Sequence, residues 1–150
     1  MFEIIEKKVL AENIVLMDVY APRIATSALP GQFLIVINDS HGERVPLTIS
    51  DYDKQRGTVT IVTQQIGDST RKICSREVGE AFADVLGPLG VPSEFTKMAD
   101  LKGRRYLFVA GGLGTAPVYP QVKYLHEKGA VVDVVIGAKN ASMVLYEAKM

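Results

Sequence analysis

The sequence changes character near residue 100, and this change limits the possible folds more than any other feature. Residues 2–86 consist of short apolar runs rich in Val, Ile, Thr and aromatic residues, separated by turn residues and without a long helical pattern. Beyond residue 104, a continuous apolar run leads through a glycine-rich turn into a helical pattern and a second apolar run. We therefore expect two units, an antiparallel sheet within residues 1–97 and a βαβ unit with parallel strands within residues 98–150.

The first unit is expected to be an antiparallel barrel of six short strands, because closure removes the edges that such strands would otherwise expose. Clusters of glycine, proline and other turn residues separate the apolar runs. A single helix is expected at residues 68–74, where helix-capping residues follow Gly67. The predicted strands are residues 3–10, 14–20, 33–38, 44–50, 58–65 and 81–86.

The second unit is expected to be a partial parallel sheet, with strands at residues 106–110 and 131–136 joined by a helix at residues 116–128. A second helix is expected to begin at residue 142. Continuous apolar runs are typical of strands that are covered on both faces. Two strands with so little cover leave apolar area and ladder groups in water, so we expect this half to self-associate rather than to remain partly disordered.

Charge and composition exclude several classes of partner and site. Seventeen Lys and Arg residues balance seventeen Asp and Glu residues, so no global field attracts nucleic acid or an anionic membrane. The longest uncharged run, residues 106–122, contains three glycines and two prolines, so membrane insertion is not expected. The lone Cys74 can form neither an internal disulfide nor a metal centre, and charged residues interrupt the first eight positions. We expect a cytoplasmic protein without a metal site.

A glycine-rich segment, Gly111-Gly112-Leu113-Gly114-Thr115-Ala116-Pro117, stands between a predicted buried strand and a helix. Glycines at such a turn let backbone N–H groups approach a phosphate at the positive end of the helix. The segment departs from the common dinucleotide fingerprint, because Pro117 takes the place of the third glycine and Lys139 follows the next strand where a carboxylate is usual. The alternative is a tight turn that binds no ligand.

The segment Gly67-Asp68-Ser69-Thr70 offers a second helix N-terminus, with two hydroxyls and free backbone donors that suit a phosphate. The carboxylate of Asp68 argues against an anion at this place. The alternative is a capped helix that only connects two strands.

The segment Arg44-Val45-Pro46-Leu47-Thr48 is expected to present Arg44, Pro46 and Thr48 on one side of a strand. Because proline cannot donate a hydrogen bond to a ladder, the segment should lie irregularly or at an edge. An open backbone beside a guanidinium and a hydroxyl could receive a flat ligand that carries phosphate.

These three segments, together with Gly87-Pro88-Leu89-Gly90 and in this order and spacing, resemble the ferredoxin-NADP reductase family over the whole chain. The branch that they resemble most is the small FAD-bearing subunit of NADH-dependent ferredoxin:NADP oxidoreductases, also called sulfide dehydrogenases. The alternative branch is the electron-transfer subunit of dihydroorotate dehydrogenase, which usually has Pro-Ile-Ser where this chain has Pro46-Leu47-Thr48. The resemblance implies an FAD-binding barrel followed by an incomplete domain for NAD or NADP, with an iron-sulfur cluster only in full-length relatives.

The resemblance also implies roles for individual residues. Arg44 would pair with an FAD phosphate, and Pro46 and Leu47 would lie against the isoalloxazine. Thr48 would lie near the reactive nitrogen and is the one candidate catalytic residue. The remaining implied contacts belong to the strand beside the flavin, the second phosphate contact, and the turn and loop under the nicotinamide nucleotide: Val62, Thr63, Gln64, Gly67, Ser69, Thr70, Gly111, Gly112, Gly114, Thr115, Ala116, Pro117 and Gly137.

The function that the resemblance implies is that of a flavoprotein electron-transfer subunit, an NAD(P)H-dependent flavin oxidoreductase. Electrons would pass between NAD(P)H, FAD and an iron-sulfur or ferredoxin-type acceptor, and the partners would be a larger flavin/iron-sulfur oxidoreductase subunit and ferredoxin. No arrangement of nucleophile and base, paired carboxylates or metal ligands indicates hydrolytic chemistry. The alternative from another class is a non-catalytic module that binds a flavin or a nucleotide.

Overall fold

A computed structural model describes residues 1–150, which form nine strands and three α-helices. Short 3-10 turns lie at Glu94–Lys97, Gly112–Gly114 and Ala141–Met143. In chain order the strands and α-helices are β1 Phe2–Ala11, β2 Ile14–Tyr20, α1 Pro22–Ser27, β3 Phe33–Ile37, β4 Arg44–Asp53, β5 Thr58–Gln64, α2 Asp68–Ser75, β6 Ala81–Phe82, β7 Asp84–Leu89, β8 Arg105–Gly111, α3 Thr115–Glu127 and β9 Val131–Gly137.

The first seven strands form one antiparallel sheet in the order β6-β1-β2-β5-β4-β3-β7. Its two outer strands, β6 and β7, follow each other in the chain and are separated only by a bend at Ala83. The bend therefore brings the two ends of the sheet together into a nearly closed barrel. The predicted antiparallel barrel is confirmed, but it has seven strands where six were expected. The segment predicted as one strand at residues 81–86 forms two, because β6 pairs with β1 and β7 pairs with β3.

The barrel interior is the main core of the molecule. Alternate residues of β2, β3 and β5 point inward and are almost fully buried. The intervening residues of β2 and β5 are buried as well, so these two strands are covered on both faces. Pro22, which lies between the second and third predicted strands, begins the helix α1, because proline suits the first position of a helix. Ile24 and Ala25 of this additional helix pack into the same core.

The second unit is the predicted βαβ arrangement. Strands β8 and β9 pair in parallel from Arg105 opposite Val131 to Gly111 opposite Gly137, and α3 packs on one face with Leu125 fully buried. Leu107 and Val109 on the opposite face are 66% and 73% exposed. The apolar area that two strands with so little cover were expected to leave in water therefore lies on this face, because α3 covers the other face only.

The C-terminal segment differs from the prediction of a helix from residue 142. Only a short 3-10 turn forms at Ala141–Met143, and Tyr146 has a positive φ of 64°, which interrupts a right-handed helix. Leu145 and Tyr146 instead pack against Ile14 and Leu16 on the outer face of the barrel and against Ala116 of α3. Burial of these apolar side chains outweighs local helix propensity. The cluster joins the barrel and the βαβ unit in one shared core.

The longest helix, α3, has 13 residues, and no helix of the chain is long and apolar enough to cross a membrane.

Candidate functional site

Strands β4 and β5 separate from each other at one end of the barrel. They pair from Ile49 opposite Ile61 to Asp53 opposite Thr58, whereas residues 44–48 pair only with β3 and residues 62–64 pair only with β2. The facing edges of these two segments therefore carry backbone groups without a ladder partner. The prediction that the segment around Pro46 lies at an edge is confirmed.

The side chains of the Arg44–Thr48 segment alternate as predicted. Arg44, Pro46 and Thr48 are exposed on the outer side, while Val45 and Leu47 pack against the barrel core. The guanidinium of Arg44 takes part in no ion pair within the chain. This cation is therefore available to an anionic ligand at the start of β4.

Helix α2 begins close to this segment. The hydroxyl of Ser69 in its first turn donates a hydrogen bond to the carboxylate of Glu43, the residue before Arg44. The hydroxyl of Thr70 accepts hydrogen bonds from the backbone N–H groups of Ile66 and Gly67, both at 3.0 Å. A phosphate contact from Thr70 would therefore have to use its backbone N–H, since the side chain caps the helix. Asp68 pairs with Arg71 at 2.9 Å.

The glycine-rich turn lies at the carboxyl end of β8. A Cβ atom added at Gly112 or Gly114 would meet no atom within 4 Å, so space remains open above the turn. Gly112 has a positive φ of 52°, which favours glycine, whereas Gly114 has an ordinary φ of −61°. Gly137 lies opposite Gly111 at the same end of the sheet, where ligands bind in open α/β folds.

A cavity of about 260 Å³ brings the barrel segment and the glycine-rich turn together. The barrel contributes one wall and the start of α3 contributes the other, so residues implied for the flavin face residues implied for the nicotinamide nucleotide. Its lining residues are Pro46, Leu47, Thr48, Ser50, Val62, Leu113, Gly114, Ala116 and Pro117. A larger cavity of about 560 Å³ under the C-terminal segment is lined mainly by charged residues and contains none of the predicted site residues.

Several predicted site residues lie outside this cavity. Thr63 is buried, and its hydroxyl has no hydrogen-bond partner. Thr115, at the start of α3, is fully buried, and its hydroxyl also has no hydrogen-bond partner. Arg44, Gln64 and Gly137 do not line the cavity either, nor do Gly67, Ser69 and Thr70 of the α2 N-terminus or Gly111 and Gly112 of the turn. A ligand would have to extend well beyond the cavity to contact all of these residues.

Cys74 is buried in the barrel core, and its Sγ lies 3.7 Å from the carbonyl oxygen of Thr63. Burial raises the pKa of the Cys74 thiol to about 11, so the group stays protonated at neutral pH. Cys74 is therefore not a reactive thiolate at neutral pH.

Sequence reasoning misses Ser50 and Leu113 as lining residues and the contacts that connect the two walls. Lys123 of α3 donates a hydrogen bond of 2.9 Å to Asp51 of β4, and the hydroxyl of Ser93 donates one of 3.0 Å to Gln121. Burial lowers the pKa of Lys123, but the hydrogen bond that Lys123 donates to Asp51 and the negative charge of Asp51 outweigh this effect and leave the pKa above its usual value. No sequence motif could have indicated these pairs, because they depend on how α3 packs against the barrel.

Comparison with known proteins gives close relatives, although no family model matches the chain. A protein of Clostridium beijerinckii named "Uncharacterized protein in adh 3'region" is 53% identical and aligns with 100% of this chain and 51% of its own length. A Thermotoga maritima protein named "Dihydroorotate dehydrogenase B (NAD(+)), electron transfer subunit homolog" is 34% identical, over 91% of this chain and 47% of its own. The chain thus spans about half the length of the curated relatives it matches.

Solved structures agree with these relatives. A chain from the structure of an NADH-dependent reduced ferredoxin-NADP oxidoreductase is 33% identical and superposes with a TM-score of 0.88, over 97% of this chain and 51% of its own. Phthalate dioxygenase reductase, at 19% identity and a TM-score of 0.74 over 97% of this chain and 45% of its own, shares the fold. The same barrel and βαβ unit, with relatives that align over nearly all of its residues, show that the chain has a ferredoxin-NADP reductase-like fold and that electron-transfer subunits are among its homologues.

Proposed function

We propose that this chain is a flavoprotein electron-transfer module that passes electrons between NAD(P)H, FAD and an iron-sulfur or ferredoxin-type acceptor. The observation that carries the proposal is the cavity of about 260 Å³ in which Pro46 and Thr48 face Gly114 and Pro117. A reaction between two bound cofactors requires their reactive groups to meet, and this is where residues of the two implied cofactor sites meet.

The residues on the barrel side fit a flavin dinucleotide. The separated edges of residues 44–48 and 62–64 offer free backbone donors and acceptors to a flat, polar-edged ring. Arg44 offers an unpaired cation, and a Cβ at Gly67 would meet no atom within 4 Å, so a phosphate can approach the start of α2. These features support FAD as the cofactor of the barrel.

The residues on the other side fit the phosphates of NAD or NADP. The open turn at Gly112 and Gly114 exposes backbone N–H groups at the positive end of α3, a helix of 13 residues. When both cofactors are bound, they supply hydride transfer and one-electron transfer, while the protein supplies position and electrostatics. Thr48 contributes a hydroxyl to the cavity lining, and Val62 and Ala116 contribute apolar side chains.

The acceptor side of the proposal includes a larger flavin/iron-sulfur oxidoreductase subunit and ferredoxin. Names of relatives support it, because several are electron transfer subunits of dihydroorotate dehydrogenase B and a similar solved structure is a ferredoxin-NADP oxidoreductase. The uncovered sheet face with Leu107 and Val109 supports self-association through the two-stranded sheet. Light scattering at increasing protein concentration tests this part, and a strict monomer would contradict it.

A dihydroorotate dehydrogenase electron-transfer subunit is the second candidate, and the names of the relatives at 30–37% identity favour it. Both candidates share the same half-reaction, in which a nicotinamide nucleotide reduces the bound flavin. They differ in the partner that receives the electrons. A cytoplasmic location stays a prediction for either.

Anaerobic titration of the FAD-loaded chain with NADH and with NADPH tests the proposal. We expect the flavin absorption band to bleach with one of the two nucleotides and to return when an external one-electron acceptor is added. A chain that binds FAD but is bleached by neither would be a non-catalytic binding module, and a chain that does not bind FAD would overturn the proposal altogether.

A further inference from the structure

One ion pair connects the two structural elements that form the walls of the cavity. Lys123 Nζ of α3 lies 2.9 Å from Asp51 Oδ1 of β4. Asp51 follows Thr48 by three residues on β4, and Lys123 follows Pro117 by six residues on α3. Neither charged residue lines the cavity, so the pair can act on it only through the strand and the helix that carry it.

A β-bulge directs Asp51 toward the helix. The register between β4 and β5 shifts between Ile49, which lies opposite Ile61, and Asp51, which lies opposite Thr60. Side chains alternate along a regular strand, so Asp51 would point into the barrel with Ile49 if the alternation were uninterrupted. The bulge turns Asp51 to the outer side, beside α3, and bulges of this kind commonly redirect a side chain next to a functional site.

The environment of the pair favours a defined geometry. The Asp51 and Lys123 side chains are only 18% and 36% exposed, whereas the Arg105–Asp133 pair on the open sheet is 76% and 60% exposed and its atoms lie 3.4 Å apart. A partly buried pair is screened less by salt than an exposed one. The apolar cluster of Val62, Ala116 and Tyr146 lies between the same two units and leaves little freedom for other arrangements.

We propose that Asp51 and Lys123 are positioning residues, which hold the glycine-rich turn of α3 at a fixed distance from the Pro46–Thr48 segment. The inference rests on the proposed function, because its consequence is the alignment of the nicotinamide with the flavin. A displacement of about 1 Å between reacting groups can slow a reaction as much as ~10²-fold. Loss of the pair therefore acts on the rate of flavin reduction more than on the binding of either cofactor.

The test compares Asp51→Asn, Lys123→Met and the charge-exchanged double variant Asp51→Lys with Lys123→Asp. The control is Glu77→Gln, which removes an ion pair with Lys7 at 2.7 Å. Both residues of this pair belong to the barrel unit, so the pair does not connect the barrel to α3. The first readout is hydrogen exchange of residues 111–117 in the chain without cofactors. The second is the rate of flavin reduction by the nicotinamide nucleotide in the FAD-loaded chain, measured together with FAD affinity.

We expect both single variants to raise hydrogen exchange at residues 111–117 and to slow flavin reduction by about tenfold or more, with FAD affinity unchanged. The double variant should restore most of the protection from exchange and most of the rate of flavin reduction, and Glu77→Gln should change neither quantity. Unaltered exchange at residues 111–117 in Asp51→Asn would overturn the inference. Exchange that rises in a chain whose flavin the nucleotides do not reduce would support the positioning role and contradict the proposed function instead, so the two failures are distinguishable.

Discussion

The barrel and the βαβ unit differ in how the edges and the apolar faces of their sheets are covered. In the barrel, the bend at Ala83 brings the two outer strands of the sheet together, and the apolar side chains of Leu34 and Ile61 are almost completely buried inside. In the βαβ unit, α3 covers one face of β8 and β9, while Leu107 and Val109 remain exposed on the other. A sheet that closes on itself is self-sufficient, whereas a pair of parallel strands depends on a second surface.

The largest expected effect tests this difference with one substitution made in both regions. Leu34→Ala removes a side chain that is 0% exposed, and we expect it to lower the free energy of unfolding by about 2–5 kcal/mol. Leu107→Ala removes one that is 66% exposed and should change the free energy by about 0.5 kcal/mol or less. Urea denaturation of both variants at low protein concentration measures the two values.

Equal losses in the two leucine variants would show that the open face of β8 is packed in solution. The comparison between a closed and an open unit would then be wrong. A small loss for Leu107→Ala that grows with protein concentration would instead indicate self-association through this face.

The second expected effect compares FAD affinity after loss of an arginine from the barrel and after loss of one from the βαβ unit. Arg44→Ala should weaken FAD binding by about 1.5–3 kcal/mol, the range for a hydrogen bond to a charged group. Arg105→Ala removes an exposed arginine from the βαβ unit and should leave FAD affinity unchanged. Fluorescence titration with FAD measures both affinities, and an Arg44→Ala affinity equal to that of the parent chain would remove Arg44 from the flavin site.

The smallest expected effect concerns two glycines within the βαβ unit. Gly114 has an ordinary backbone conformation and open space at the Cβ position, so Gly114→Ala should stabilise the chain by about 0.4–1 kcal/mol. The added methyl group nevertheless stands where a nucleotide phosphate would approach, and we expect affinity for the nicotinamide nucleotide to fall by about 1.4 kcal/mol, or tenfold.

Gly129 provides the matched control, because it has a positive φ of 79° and ends α3 far from the turn. Gly129→Ala should lower the free energy of unfolding by roughly 1–2 kcal/mol and leave nucleotide affinity unchanged. Thermal denaturation and nucleotide titration of both variants check the opposite signs. If Gly114→Ala bound the nucleotide as tightly as the parent, the turn would be a purely structural connection.

Local signals were sufficient for much of the fold and for the two motifs that face each other. The exposed side of Arg44, Pro46 and Thr48 followed from strand alternation, and its open edge followed from the missing N–H of Pro46. The position of the glycine-rich turn followed from an apolar run placed directly before a helical pattern. Each of these inferences used residues close together in the chain.

The features that the sequence did not reveal depend on contacts between distant segments. Leu145 and Tyr146 do not form the expected helix, because they are buried against Ile14 and Leu16 on the outer face of the barrel. The bulge before Asp51 shows no local mark, since its register is set by β5. The Asp51–Lys123 pair likewise needs the docking of α3.

The cluster shared by the barrel and the βαβ unit has a consequence for protein engineering. A chimaera that carries another βαβ unit would ordinarily be joined at the connection near residue 97. In this molecule such an exchange would also remove Ala116, Leu145 and Tyr146 and leave Ile14 and Leu16 bare on the outside of the barrel. A working chimaera would have to keep these three residues or replace Ile14 and Leu16 with polar side chains, because the exchangeable piece is defined by packing rather than by the chain connection.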